Sequence, residues 1–507
     1  MSADSQYDRT TAAFHHGALL MVGIRGTTLD RAQADFLRRH HIRAVVLFRD
    51  NLDDENQTRA LTAELRAALG PAALIAVDQE GGAVVRATFL PQAPAAMALG
   101  AAGDSALARA VGAGVARGIG SLGFNWNFAP VLDVNNNPAN PVIAERSFSA
   151  DPSEVARLGG AWMRGAMAES VACCIKHFPG HGDTCVDSHV DLPIVDKPQR
   201  ELDALELLPF RALCGEAPAV MTAHIVYPQI DAAQPATLSR AWLGDLLRTA
   251  WGYDGVVITD SLVMRAIQDR YGHGRAAVLA LQAGADMVMA LGDEEEQIAA
   301  ICAIGGAIDD GSLALPALQR ARNRVDALAR RFPSRARDYA PKARAADDRL
   351  MRDGWALGLT MIGGALPPRI DRPLRVVTQR GVPGDGVSEA GVSGTRVAAL
   401  FERFSALDVV QVRDLAALDW RSLPDDGRAT VLVSNTRTRH GAQARTWHPQ
   451  LHIALWNPFL VQDVAAPAIV TWGYAEGALD ALQAWLEGHG AAPGRTPVPL
   501  HPRAREA

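Results

Sequence analysis

The stretch GVVITD, residues 255–260, is a β-branched apolar run that ends abruptly on a carboxylate. Its composition is that of a strand buried on both faces. The same form recurs. Apolar runs at 18–24, 44–48, 73–77, 127–134, 171–175, 219–223 and 287–291 complete a set of eight. Segments with helical spacing lie between them: Leu61, Leu65 and Leu69; Leu202, Leu205 and Leu208; Trp242, Leu243, Leu246 and Leu247. Strands alternating with helices predict parallel pairing through crossover helices. Eight such units in about 300 residues is the length of a (β/α)8 TIM-like barrel. An open doubly wound sheet is the alternative, but the first strand is followed by Gly23-Ile24-Arg25-Gly26-Thr27, without the G-x-G-x-x-G turn.

The barrel is expected to occupy residues 1–332. Residues 333–366 read as a linker carrying a helix, rich in Ala and Arg. Residues 367–507, opening on Pro367-Pro368, read as a smaller α/β sandwich domain with strands near 375–379, 409–412, 430–435, 452–456 and 469–472. The chain has 507 residues, 48% hydrophobic and 21% charged, with a net charge of −6. That balance gives no footprint for nucleic acid or an anionic membrane surface, and no apolar run approaches the ~20 residues of a membrane span. The first residues are polar and the first apolar run, 17–24, is short. The reading is therefore a cytoplasmic protein without a signal peptide. Five cysteines, an odd set without C-x-x-C spacing, read as reduced thiols.

A barrel of this kind works at the C-terminal ends of its strands. Here those ends carry Arg49, Asp78, Asp133, Lys176-His177, His224 and Asp260: a polar pocket lined with both signs of charge. Three chemistries compete for it. A metal site could use His177, His224 and Asp260, yet it wants two histidines one residue apart on the first strand, and His15-His16 are adjacent and precede it. A phosphate cradle could use Gly180-His181-Gly182, but no Lys-Ser/Thr follows. Proton transfer fits best. In KHFPGHGDTCVDSH (176–189), Asp187 and His189 are two apart, so an extended segment projects them to one side, where the carboxylate fixes the imidazole tautomer. Asp260 would remain ionised and could act as a nucleophile. One carboxylate and one protonated donor suffice to cleave a glycosidic bond with retention.

The stretches VDQEGGAVVR, NFAPVLDV, ERSFS, KHFPGHGDTCVDSH, ELLPF (206–210), MTAHI and ITDSLVMRAI, in that order over roughly residues 15–330, resemble the family 3 glycoside hydrolases, in particular the bacterial β-N-acetylglucosaminidases in their two-domain form. The resemblance implies hydrolysis of terminal β-linked N-acetylglucosamine from muropeptides of peptidoglycan turnover or from chitooligosaccharides. It implies Asp260 as nucleophile and His189 as acid/base with Asp187 as its partner. Asp78, Arg86, Arg146, Lys176 and His177 would bind the sugar. No cofactor and no metal are expected, and the partner is a small carbohydrate containing N-acetylglucosamine, with neither nucleic acid nor membrane; the oligomeric state stays open. One departure is that Arg49 and Asn51 flank Asp50 where the family often has Arg-Asn adjacent. A β-N-acetylglucosaminide phosphorylase shares these motifs, and phosphate release of the sugar 1-phosphate separates the two. A non-catalytic sugar-binding barrel is a third reading, which turnover of an aryl glycoside would exclude.

Overall fold

The structure is a computed structural model; it describes residues 15–188, 191–384 and 386–501. Eight strands close into a barrel: β1 (Leu20–Val22), β2 (Ala44–Leu47), β3 (Leu74–Val77), β4 (Trp126–Asn127), β5 (Ala172–Phe178), β6 (Ala219–Thr222), β7 (Val256–Ser261) and β8 (Met287–Met289). Each pairs in parallel with its neighbours in sequence, and β8 returns to β1 through Leu20 opposite Val288. Every one of the eight apolar runs supplies a strand.

Alternate residues fill the interior, as the two-residue period of a strand requires. Met21, Ala44, Val46, Leu74, Ala76, Trp126, Cys174, Met221, Val256, Ile258 and Met289 belong to one buried core. Helix Leu315–Arg331 adds Val325, Leu328 and Ala329 to it.

Some of these strands are very short, and buried amides extend their pairing. The Asn125 side chain accepts from the Ile75 N–H at 2.8 Å and donates to the carbonyls of Ala73 (3.0 Å) and Phe332 (2.7 Å). Asn127 accepts from the Gln79 N–H at 3.0 Å and donates to the Gln79 carbonyl at 2.9 Å. The two amides thus extend the pairing of β4 with the β3 side, as an extra length of strand would.

The chain divides into two compact units that are not contiguous in sequence. One comprises residues 1–79, 112–133 and 163–339, and holds the barrel. The other comprises 80–111, 134–162 and 340–507. The second unit contains a six-stranded sheet: β9 (Thr360–Ile362), β10 (Leu374–Gln379), β11 (Leu407–Val412), β12 (Ala429–Ser434), β13 (Leu451–Ala454) and β14 (Ala468–Val470), in the order β9-β14-β13-β12-β10-β11. All pairs are parallel except β9 with β14. Helix Pro341–Gly358 lies in the stretch read as a linker, and its Trp355 packs with Ala95, Met97, Ala98, Val470 and Trp472 in one buried cluster. Edge strand β9 has no counterpart among the runs picked out from the sequence. The barrel with an appended α/β sandwich is the architecture expected.

Because Asn125 satisfies three buried backbone groups at once, Asn125→Ala should cost at least about 3 kcal/mol, at ~1–3 kcal/mol for each buried group left without a partner. Urea titration of the variant followed by circular dichroism checks this; a midpoint within error of the wild type would refute the account of barrel closure.

Candidate active site

The alternation that fills the barrel also aims its ends. Asp78 lies two residues beyond inward-facing Ala76, Lys176 two beyond Cys174, and Asp260 two beyond Ile258. All three therefore continue the inward row past the apolar core, at the C-terminal mouth. The Lys176 Nζ reaches Asp78 Oδ1 at 2.6 Å, and Lys176 is buried. Below them, burial pushes the Cys174 thiol well above its ordinary range. Lys176 opposes that shift, while Asp78 and Asp260 add to it, so all three charges act at one point inside the barrel. Asp260 is half-buried at the end of β7, and the Ser261 N–H donates to its Oδ1 at 2.8 Å.

A second knot is built on Asp133, which is fully buried. Its Oδ2 lies 2.7 Å from His177 Nδ1, and its Oδ1 accepts the backbone N–H groups of His177 (3.1 Å) and His181 (2.7 Å). Burial opposes ionisation of this carboxyl, but the His177 and His181 groups outweigh it and hold it below the ordinary carboxylate range. His181 is locked at both ring nitrogens, Nδ1 by the Thr184 hydroxyl at 2.8 Å and Nε2 by Ser188 Oγ at 3.0 Å. Burial, aided by His177, lowers its pKa to about 4, against the pull of Asp133 and Asp187.

These contacts order the segment quoted above. Gly180 stands at φ +135°, and a Cβ there would lie 2.8 Å from Glu206 Cβ, so the turn needs glycine. Tyr227 donates to the Gly180 carbonyl at 2.6 Å. Lys197 bridges Asp183 (2.7 Å) and buried Glu206 (2.6 Å), which pins the loop from outside. Asp187 is half-buried; His189 lies outside the described residues.

The other strand ends have structural duties. His224 Nε2 donates to the Ser261 carbonyl at 2.9 Å, and Nδ1 lies 2.9 Å from the Thr237 hydroxyl, so both ring nitrogens are engaged and the residue after Asp260 is held. Arg49 donates to the Leu52 carbonyl within its own turn. Asn51 donates to the carbonyls of Ile24 (3.2 Å) and Gly26 (2.8 Å), a clamp between the loops after β1 and β2.

Arg86 and Arg146 belong to the second unit. Arg146 makes a two-pronged pair with Glu80, Nε to Oε2 at 2.9 Å and Nη2 to Oε1 at 2.8 Å. Arg86 Nη1 meets Glu389 Oε1 at 2.8 Å. Gly81 and Gly82 make the preceding turn. Their φ values are +113° and +60°, and Cβ atoms there would meet the Pro94 carbonyl oxygen at 2.5 Å and Ala95 Cβ at 2.6 Å.

Residues 15–328 match the family described as Glycosyl hydrolase family 3 N terminal domain. The chain belongs to glycoside hydrolase family 3. Among curated proteins it is similar to the β-hexosaminidase of Alkalilimnicola ehrlichii, 39% identical over 279 residues, covering 53% of this chain and 79% of the relative. It is 34% identical over 349 residues to the β-hexosaminidase of Pseudomonas aeruginosa, covering 68% of this chain and 98% of that one. Among solved structures, the family 3 β-N-acetylglucosaminidase of Paenibacillus sp. FPU-7 superposes with a TM-score of 0.85 at 33% identity, covering 96% of this chain and 98% of that one. The glycoside hydrolase recognised from the motifs, with its barrel and sandwich, therefore stands.

Sequence reasoning placed Asp133 at a strand end without giving it a role, and it missed Glu80, Thr184, Ser188 and Glu389 as partners. Burial of His181 carries a testable consequence. Its folded pKa is depressed, so below about pH 6.5 the unfolded chain takes up the proton first. Stability then falls as pH drops from about 6.5 to about 4 and is flat, for this group, below that. The shift corresponds to about 3 kcal/mol across the window. His181→Gln should remove roughly one proton's worth of slope from the stability–pH profile between pH 4 and 6.5. Parallel profiles for variant and wild type would contradict it.

Proposed function

We propose that the chain is a retaining exo-β-N-acetylglucosaminidase that releases terminal β-linked N-acetylglucosamine from muropeptides or chitooligosaccharides in the cytoplasm. The observation that carries the reading is the inward row of charge at the barrel mouth. Asp260, near the end of β7, acts on the Cys174 thiol together with the Asp78–Lys176 pair: a nucleophile type in one row with a carboxylate suited to accept from sugar hydroxyls.

In the first step an Asp260 oxygen attacks the anomeric carbon. The bond to the leaving oxygen breaks, and His189 gives that oxygen its proton. In the second, His189 takes a proton from water, the hydroxide displaces Asp260, and the sugar leaves with its configuration retained. Asp187 orients the imidazole and balances its charge; its carboxylate already raises the proton affinity of neighbouring His181. Lys176, His177, Arg86 and Arg146 bind the sugar hydroxyls and acetamido group. No cofactor or metal takes part. Thiol chemistry agrees with a reducing compartment: all five cysteines are free, three of them buried.

Charge matching favours water over phosphate as the second acceptor. Lys176 is paired with Asp78, Arg146 with Glu80 and Arg86 with Glu389. Each of these cations is thus met by a carboxylate, and none brings an uncompensated positive charge for an anionic acceptor. Digestion of N,N′-diacetylchitobiose with and without inorganic phosphate should give free N-acetylglucosamine in both; N-acetylglucosamine 1-phosphate in the second would establish a phosphorylase instead.

Two substitutions test the roles. Asp260→Ala should abolish covalent labelling by a 5-fluoro glycosyl inactivator, and peptide mass spectrometry that finds the label on another carboxylate would displace Asp260 from its role. His189→Ala should lose about 10²–10⁴-fold in kcat/KM on a disaccharide, whose alkoxide leaving group needs a proton, and much less on a nitrophenyl glycoside. Equal losses on both substrates would mean that His189 only binds.

A further inference from the structure

Within the second unit, the loop that follows β10 is fastened to the segments that carry Arg86 and Arg146. Val387 packs with Val84, Val142 and Ile143 in one buried cluster. The Glu389 N–H donates to the Ala83 carbonyl at 2.9 Å, and its own carbonyl accepts from the Tyr474 hydroxyl at 2.9 Å. The backbone of Glu389 is therefore fixed on two sides before its side chain is considered. Arg437 adds a second tie, donating to Ser388 Oγ at 3.0 Å and to the Val142 carbonyl at 2.6 Å. That same carbonyl accepts from Arg146 Nη1 at 3.1 Å.

The two arginines are gripped differently. Glu80 takes Arg146 with both oxygens, which fixes the plane of the guanidinium outright. Glu389 Oε1 accepts from Arg86 Nη1 at 2.8 Å, where the Arg86 side chain is 9% exposed and that of Glu389 23%. A long arginine stem with several rotatable bonds points its planar fork wherever its anchored nitrogen allows. A carboxylate on a doubly fastened loop supplies one such anchor.

We propose that Glu389, contributed by the loop after β10 and 303 residues away in sequence, is a positioning residue for Arg86 and through it sets the affinity for the N-acetylglucosamine ring. The proposal rests on the reading of Arg86 as a sugar ligand. It assigns the loop after β10 a part in positioning Arg86 and none in proton transfer. Loss of the anchor should then weaken substrates with good and poor leaving groups alike, since both share the ring.

The test uses the full chain with Glu389→Gln, Glu389→Ala, Glu389→Asp, Arg86→Ala and the double variant Glu389→Ala/Arg86→Ala. Steady-state kinetics are run on a nitrophenyl β-N-acetylglucosaminide and on N,N′-diacetylchitobiose, with inhibition by free N-acetylglucosamine as a binding readout independent of chemistry. Glu389→Gln and Glu389→Ala should each raise KM and the inhibition constant about tenfold on both substrates, with kcat within about twofold, the scale of one charge-assisted hydrogen bond. Glu389→Asp should recover part of that loss, and the double variant should be no worse than Arg86→Ala alone. Unchanged KM in Glu389→Ala, with a raised KM in Arg86→Ala, overturns the positioning role and leaves the reading of Arg86 standing. Unchanged KM in Arg86→Ala overturns both. Additive losses in the double variant, or a fall in kcat that tracks a lowered melting temperature, would make Glu389 a structural residue only and overturn the proposal.

Discussion

A two-residue strand offers its neighbours too few backbone groups to keep a sheet closed, and β4 is such a strand in the middle of an eight-stranded ring. The molecule resolves this with the amides of Asn125 and Asn127, which bond to the backbone of residues 73, 75 and 79 as a longer strand would. Everything at the barrel mouth depends on that substitution. Asn127 grips the residue directly after Asp78, so the amide that closes the ring also fixes the carboxylate that meets Lys176. If the ring opened between β3 and β4, the inward row of charge would lose its first member.

The site that results holds its charges in balanced pairs inside a protein interior, where an unmatched ion is costly. Asp133 shows how far this goes. It has no exposure to solvent, yet it stays ionised because two backbone N–H groups and an imidazole converge on it. Its neighbour His181 takes the opposite course and remains neutral, satisfied by two hydroxyl groups. The loops after β4 and β5 thus bring together a buried anion and a buried neutral base, each tuned by hydrogen bonds and not by solvent. Asp133 ties the start of the loop after β5, through His177 and His181, to the end of the segment after β4.

The fold was legible because burial on both faces leaves a mark: eight short apolar runs, six of them ending on a charged or titratable residue, with helical spacing between them. Boundaries were less legible. The strand is Trp126–Asn127, so of the run 127–134 only Asn127 lies in it; beyond the cut at Pro130, which lacks the N–H that pairing needs, Val131 makes an isolated bridge to Lys176. Strand β9 escaped notice because three residues at a sheet edge, one of them the exposed Met361, carry no alternation to read. Of the candidate site residues, those at the ends of strands could be listed from position alone. Their partners could not. Asp133 and His177 are 44 residues apart, Glu80 and Arg146 66, Arg86 and Glu389 303. Only the folded chain brings such pairs within hydrogen-bond reach, and no spacing rule covers them. Asp187 was picked out from its place two residues before His189, a local pattern of the kind a sequence does display.

The interleaving of the two compact units has a consequence for how the protein is made. Residues 80–111 and 134–162 leave the ribosome early, but they pack with residues that come after position 340. Met97 and Ala98 are fully buried against Trp355, Val470 and Trp472 in the finished molecule. At about 5–20 residues per second, synthesis leaves those apolar side chains without their partners for on the order of tens of seconds. The first unit cannot simply fold and be left behind while the second is translated, because segments looping out of it are waiting for their core. The nascent chain therefore passes through an interval in which a nearly complete barrel carries bare hydrophobic loops, and a chaperone that shields short apolar segments has its window of action there. A message cut short after residue 339 would make that interval permanent, leaving a chain whose barrel strands are all present and whose early loops have nothing to bury against.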